Sequence, residues 1–201
     1  MDLYINALSE FNAIKDYYNV IMSNSLQIMI NERKRIAIEV AEDKSLREFE
    51  EEIYMEFENQ FNELTKKATI IGLFNTIENT LRNLMVEIKN ENNLCIGYNS
   101  FVGSILEKAK LYFLNYKLKF IKNSDLELIN EIQKIRDCYV HCNGRVDESR
   151  DKKYIETLCR NSDKYFNVDG ILYVEGNYLY GLIEKSSNIV LKLYNDNGFS
   201  E

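Results

Sequence analysis

The chain has 201 residues, 45% of them hydrophobic and 28% charged, which is typical of one globular domain. Its formal charge of −7 argues against a broad surface that coats nucleic acid, although a small basic site is compatible with it. Met1–Glu10 lacks the basic and apolar regions of a secretory signal, and no apolar run approaches the roughly 20 residues of a membrane span. We therefore expect a cytoplasmic protein without membrane contact. The absence of proline favours uninterrupted helices.

Two long helices are predicted in the first half of the chain. The first covers about 3–40, as one helix or two in series, with a candidate kink at Ser23-Asn24-Ser25. The second begins near Leu46, because Ser45 and Glu48 have the spacing of a capping box, and its apolar stripe continues to Ile88. Glu78 and Arg82 form an i, i+4 pair on its polar side.

A third helix is predicted over about 100–119, a region that is rich in lysine. Tyr112 and Tyr116 alternate with these lysines, a pattern that suits single-stranded nucleic acid through stacking and phosphate contact. A solvated lysine face is the alternative interpretation. The candidate RNA-binding residues here are Lys117, Lys119 and Lys122, to which we add Arg145 further along the chain.

The fourth helix, Asp125–Asn143, contains the only histidine of the protein, His141. Ser124 and Glu127 have the spacing of a capping box at its start, and Gly144 suits the position after its end. An apolar stripe at steps of three and four faces the core; it consists of Leu128, Ile132, Ile135, Tyr139 and Cys142. Val140 and Ile129 form an apolar edge on the far side, which suggests a partner surface.

The polar residues of this helix suggest chemistry on a phosphodiester. Asp137 and His141 are four residues apart and share a face, so the carboxylate could fix the tautomer of the imidazole. Arg136 lies about 140° from His141 around the helix axis, so the two meet only if the arginine bends round, the helix end loosens or a second helix packs alongside. Metal-free RNA cleavage needs a base for the 2′-hydroxyl and a cation for the phosphorane, roles that suit histidine and arginine.

Arg136-Asp137-x-x-x-His141 resembles the R-x4-6-H signature of HEPN domains, including the polar residue directly after the arginine. The resemblance implies an all-helical bundle and a metal-independent endoribonuclease without a cofactor. It also implies a homodimer, here through the Asp125–Asn143 helix, in which two motifs share one cleft. Members include toxins and phage-defence proteins, so an antitoxin or defence-system partner is expected. The resemblance also implies that Arg136, His141 and Asp137 are catalytic and that Asn143 and Glu78 are auxiliary.

The C-terminal part is predicted to hold a short helix over about 153–160, one strand within 170–176 and a last helix over about 178–194. The expected fold is therefore all-α: a multi-helix, HEPN-like bundle of long helices with a minor C-terminal strand or hairpin. We expect a single domain over 1–201, with its core at about 1–160 and an extension at 161–201.

Two other functions stay open. One is a non-catalytic HEPN-like module that binds RNA or a protein, which the acidic net charge favours. The other is a small metal-binding regulator that uses Cys138, His141, Cys142 and Cys159. Their spacing does not match the usual zinc-binding patterns, and reduced thiols are expected in a cytosolic chain.

Overall fold

The computed structural model describes residues 3–199, except for the side chain of Lys44, and confirms an all-α fold with a small C-terminal hairpin. The α-helices are α1 (Leu3–Glu42), α2 (Glu50–Glu91), α3 (Ile105–Asn115), α4 (Asn123–Cys142), α5 (Lys152–Asn161) and α6 (Gly176–Asp196). Strands β1 (Tyr165–Val168) and β2 (Ile171–Val174) pair in antiparallel register between α5 and α6. Within residues 3–199, no helix combines the length and the apolar character that a bilayer crossing requires.

The second half of α2 lies at the centre of the main core. Most of its apolar residues from Ile70 to Ile88 are almost completely buried, although Val86 is 43% exposed. Helices α1, α3, α4 and α6 all pack against this helix. Two tyrosines bond to its backbone from neighbouring helices: Tyr112 of α3 donates to the Met85 carbonyl at 3.1 Å, and Tyr194 of α6 donates to the Thr80 carbonyl at 2.7 Å. The hydroxyl groups of these buried tyrosines are thereby satisfied.

The first helix is continuous through Ser23-Asn24-Ser25, so of the two arrangements expected for this region the structure has one helix and not two in series. The hydroxyl groups of Ser23 and Ser25 donate to carbonyls three residues earlier, at 3.0 and 2.7 Å. These local bonds satisfy both serines without interrupting the helix.

The capping box predicted at Ser45 is wrong. Asp43 caps a 3-10 helix over Lys44–Phe49, and α2 begins only at Glu50. The reason is that the Asp43 carboxylate accepts both the backbone N–H of Ser45, at 3.0 Å, and its hydroxyl, at 2.6 Å. Ser45 is therefore a donor here.

The capping box predicted at Ser124 is also wrong. The helix starts two residues earlier than expected, at Asn123, with Lys122 as an N-cap that makes no side-chain bond. Ser124 thus lies inside the first turn. The one complete capping box on the described helices is at α3, where Ser104 and Glu107 bond to each other's backbone N–H groups. It explains why α3 begins at Ile105 and not near residue 100.

The C-terminal elements belong to the same core. Leu179, Leu182 and Val190 of α6 are fully buried among residues of α1 and α2. The hairpin is attached to α4 through the Glu131 carboxylate, which accepts the hydroxyls of Tyr165 at 2.5 Å and of Tyr178 at 3.2 Å. Residues 161–199 are therefore integral to the body of the protein.

The far halves of α1 and α2 extend beyond this core. We call residues 22–64, which include the 3-10 helix, the arm. Among the described residues, none between 19 and 69 belongs to the main core, while Met29, Ile36 and Val40 are buried separately. Helices α1 and α2 are each about 60 Å long, so the arm is a two-helix hairpin that reaches away from the body.

Helix α4 ends as predicted at Asn143-Gly144, both of which have positive φ, 51° and 85°. The N–H of Gly144 donates to the Cys138 carbonyl at 3.1 Å, a bond typical of a helix end with left-handed residues. The turn is also joined to the hairpin, because Leu172 N–H donates to the Gly144 carbonyl at 2.9 Å and Val146 N–H donates to the Gly170 carbonyl at 2.8 Å. This turn fixes where the end of α4 lies.

Gly144→Ala should lower the free energy of unfolding by about 1–2 kcal/mol, because an L-residue is strained at this φ. The matched control is Gly181→Ala in the interior of α6, where a new Cβ meets nothing within 4 Å. This substitution should raise the free energy of unfolding by about 0.5–1 kcal/mol. Urea denaturation followed by circular dichroism measures the free energy of unfolding of both variants. A change of the same sign in the two variants would contradict the role given to Gly144.

Candidate functional site

One face of α4 forms a wall of a cleft of about 620 Å³. The spacing of Asn130, Gln133, Lys134, Asp137 and His141 places them in one row along that face. Phe74 and Glu78 of α2 line the cleft from another side, and Ser104, Ile105 and Glu107 line it from the start of α3. The loop before α5 contributes Arg150 and Asp151.

Arg136 lies off this row but reaches the same cleft within one subunit. Its side chain bends round the helix, and Nη1 donates to Oδ1 of Asp137 at 2.9 Å. The guanidinium carbon lies 5.6 Å from the centre of the Phe74 ring, a cation–π contact. The guanidinium thus reaches the carboxylate of Asp137, which shares a helix face with His141, within one chain. Among the described residues, the buried Nε of Arg136 has no hydrogen-bond partner.

Asp137 does not orient the histidine, so that expectation is wrong. Its carboxylate is buried, and the two oxygens accept from two different guanidinium groups. Arg136 binds Oδ1, and Nη2 of Arg150 donates to Oδ2 at 2.5 Å. Both oxygens of Asp137 therefore bind cations, and each of these bonds is charge-assisted.

His141 lines the open part of the cleft, in the last turn of α4. Its side chain is exposed and, within the described part of the chain, makes no hydrogen bond or ion pair. The imidazole is therefore accessible to a molecule that enters the cleft. The expected site residues Arg136, Asp137, His141 and Glu78 thus share one cavity.

The cleft has mixed charge. Lys134, Arg136 and Arg150 supply positive charge, and four carboxylates oppose them. Each carboxylate is already engaged. Asp137 binds the two arginines. Asp151 accepts from Nε of Arg150 at 3.3 Å, and its Oδ1 lies 3.7 Å from Nζ of Lys134. Glu78 pairs with Arg82 at 2.9 Å, and Glu107 caps α3. The hydrogen bonds from Ser104 lower the pKa of Glu107 below its ordinary value.

Lys117, Lys119 and Lys122 do not line this cleft. They precede or begin α4, whose 20 residues place Lys122 about 30 Å from His141. Nζ of Lys119 instead lies 3.7 Å from Oδ1 of Asp196, the last residue of α6. Of the tyrosines of the same region, Tyr112 is buried and cannot stack on bases. Tyr116 is partly buried, its ring centre lies 5.0 Å from that of Tyr112, and its hydroxyl bonds to the backbone of Ile96.

Two further expected residues lie beside the cleft rather than in it. Asn143 is the left-handed residue that ends α4, and it does not line the cavity. Arg145 is exposed and pairs with Glu148 at 3.0 Å, also outside the cavity. The structure therefore assigns Asn143 to the helix end and leaves Arg145 as a peripheral charge.

Sequence reasoning missed Asn130, Gln133, Lys134, Arg150 and Asp151. Three of these residues were detectable, because their spacing from Asp137 and His141 is that of one helix face. Arg150 had no such signal, since it lies on a loop and reaches the cleft only through the fold. The partner edge expected at Ile129 is wrong, because Ile129 is fully buried, whereas Val140 is 44% exposed.

The cysteines do not assemble a metal centre with His141. Among residues 3–199, no group of three or more histidine, cysteine, aspartate or glutamate side chains is placed to hold a metal ion. Burial raises the pKa of the Cys138 thiol to about 11, and its Sγ donates to the Arg145 carbonyl at 3.8 Å. A protonated thiol is a poor metal ligand, and this geometry does not favour the metal-binding alternative.

Comparison with models of protein families, with curated proteins and with solved structures finds no match to this chain.

Proposed function

We propose that the chain is a HEPN-type, metal-independent endoribonuclease. The observation that supports this most directly is that Arg136 and His141, the two residues of the R-x4-6-H motif, line one cleft of a single subunit. An exposed imidazole and a guanidinium that line the same cleft are a suitable pair for transesterification of RNA. In keeping with the resemblance, we propose a toxin or antiphage effector of the cytoplasm, with an antitoxin or a defence-system protein as its partner.

The proposed reaction uses the nucleophile that RNA itself carries. His141 takes the proton of the 2′-hydroxyl, and the 2′-oxygen attacks the adjacent phosphorus. Arg136 donates to the non-bridging oxygens as the phosphorane forms, since its charge persists at any physiological pH. The bond from phosphorus to the 5′-oxygen then breaks, and that oxygen takes a proton from solvent. The products are a 2′,3′-cyclic phosphate and a 5′-hydroxyl.

Arg150 is proposed as a second phosphate-binding cation. It is three-quarters exposed, and the buried Asp137 carboxylate holds it at the cleft. Asp137 would keep its bond to Arg136 if Arg150 moved, so the buried charge would stay paired. A phosphate in the cleft would then replace the Asp137 carboxylate as the anionic partner of Arg150.

A non-catalytic RNA- or protein-binding module is the second candidate. The observation that favours it is the mixed charge of the cleft, in which four carboxylates surround three cations and one histidine. Such a cleft attracts a polyanion less strongly than a basic one does. Tight RNA binding without cleavage by the wild-type protein would select this candidate.

His141→Ala and Arg136→Ala should each reduce RNA cleavage by about 10²-fold or more, because each removes one half of the proposed chemistry. Cleavage of a labelled single-stranded RNA is followed by gel, with circular dichroism to verify that each variant is folded. Wild-type activity should persist in EDTA, and product ends should be 2′,3′-cyclic phosphates. Equal activity of wild type and both variants would exclude the proposal, and loss of activity in EDTA would exclude its mechanism.

Arg150→Ala should weaken RNA binding, whereas Arg145→Ala, an equally charged change outside the cleft, should not. Both are made in the His141→Ala background, so that binding is measured without cleavage. Loss of one phosphate contact should reduce the slope of log K against log salt by about 0.7 for a single strand. Equal effects of the two substitutions would place Arg150 among general surface charges.

A homodimer through the Asp125–Asn143 helix stays a prediction. Val140 is the large apolar residue that this helix exposes, and a charge there would have to be buried in such a contact. Val140→Arg should therefore convert a dimer to a monomer in light scattering at micromolar concentration, while Val102→Arg, in an exposed loop, should not. A wild-type protein that is already a monomer would contradict the predicted dimer.

A further inference from the structure

Most of the net negative charge of the chain is on the arm. Residues 22–64 contain eleven acidic and five basic side chains, a formal charge of −6, whereas the rest of the chain has a formal charge of −1. The arm is therefore electrostatically distinct from the body. None of its residues lines the cleft described above, so its role is independent of the proposed ribonuclease chemistry.

The arm buries only its inner seam. Met29, Ile36 and Val40 of α1 are buried in that seam. On α2, the rings of Phe57 and Phe61 stack with their centres 6.2 Å apart, and both are only partly buried. Two helices alone cannot cover each other's remaining faces, so apolar residues outside the seam are left to solvent or to a partner.

The arm exposes an apolar stripe on α1, formed by Met22, Leu26 and Ile30. Their i, i+4, i+8 spacing places them on one helix face, and Leu26 is 69% exposed. Ile38 on α1 and Leu64 on α2 are also more than half exposed. Single exposed apolar residues need no explanation, but an ordered stripe on a helix face is a typical protein-binding surface.

The acidic residues of the arm are only partly neutralised within the chain. Arg33 pairs with Glu51, and Arg35 pairs with Glu32 and Glu39. Among the side chains that the structure describes, no basic group pairs with Glu50, Glu52 or Glu58 in the first turns of α2. These three carboxylates are available to cations from outside the chain.

We propose that the arm is a docking surface for a basic amphipathic helix of a partner protein. The apolar side of that helix would cover the stripe of Met22, Leu26 and Ile30, and its lysines and arginines would meet the net negative charge of the arm. Charge complementarity selects this occupant. A second copy of the arm, a nucleic acid or an anionic membrane would each bring like charge to a surface of charge −6.

The test uses the full chain and two synthetic helices of about 20 residues, one built from leucine and lysine and the other from leucine and glutamate. Fluorescence anisotropy should give a dissociation constant at least about tenfold lower for the lysine peptide, with an affinity that falls as salt is raised. The double substitution Leu26→Ser/Ile30→Ser should weaken that binding about tenfold. Both residues are solvent-exposed, so the variant is expected to fold.

The control is Val102→Ser/Leu114→Ser, which removes two exposed apolar residues of the body, 88% and 70% accessible. It should leave binding unchanged. Equal weakening by both double substitutions, or none by either, would overturn the proposal in favour of diffuse attraction to an acidic protein. Two other results would also overturn the proposal, provided that the lysine peptide still bound with unchanged affinity. One is loss of self-association in light scattering on the arm substitutions, and the other is loss of binding to phosphatidylcholine vesicles.

Discussion

Burial of the apolar residues along one half of a single helix, α2, determines the arrangement of the others. Between Ile70 and Ile88, α2 has apolar residues on more than one face, so it can only be stable when surrounded. Its polar residues fit this environment, because the hydroxyls of Thr69 and Thr80 donate to carbonyls four residues earlier, each at 2.8 Å. The cleft is built on this helix, since Phe74 lies beneath the Arg136 guanidinium. A rigid support of this kind is what a preorganised site needs.

Within the cleft, Asp137 links the motif on α4 to the loop before α5. A buried carboxylate is costly without partners, and here two guanidinium groups share it. One of them is held over Phe74 and is mostly buried, while the other is largely exposed. The same negative charge therefore fixes one arginine firmly and tethers the other loosely, which gives the two cations different mobility at one site.

The sequence was sufficient for the helices and insufficient for the residues at which α2, α3 and α4 begin. Apolar residues at steps of three and four identified the long helices correctly, because burial of a helix face requires that spacing. The Ser-x-x-Glu pattern failed twice: an upstream Asp43 competed for Ser45, and α4 began before Ser124. A capping pattern is local, and the neighbouring residues decide whether it is used.

The same contrast holds for the candidate site. Asp137 and His141 were placed correctly on one helix face by their spacing, but the Arg136 side chain rotates back to that face, which a helix wheel cannot show. Arg150 is brought in by a loop, so no periodic pattern identifies it. The lysines near Lys122 were close to the motif only along the chain, and the length of α4 separates them from His141 in space.

The turn that follows His141 depends on residues that are synthesised later. Gly144 and Val146 bond to the backbone of Leu172 and Gly170, some 25 residues further along the chain. As the polypeptide emerges from the ribosome, α4 can form its own helical bonds, but these two cross-links have to wait until the hairpin has left the exit tunnel. The geometry around the imidazole is therefore completed only after the hairpin has been synthesised.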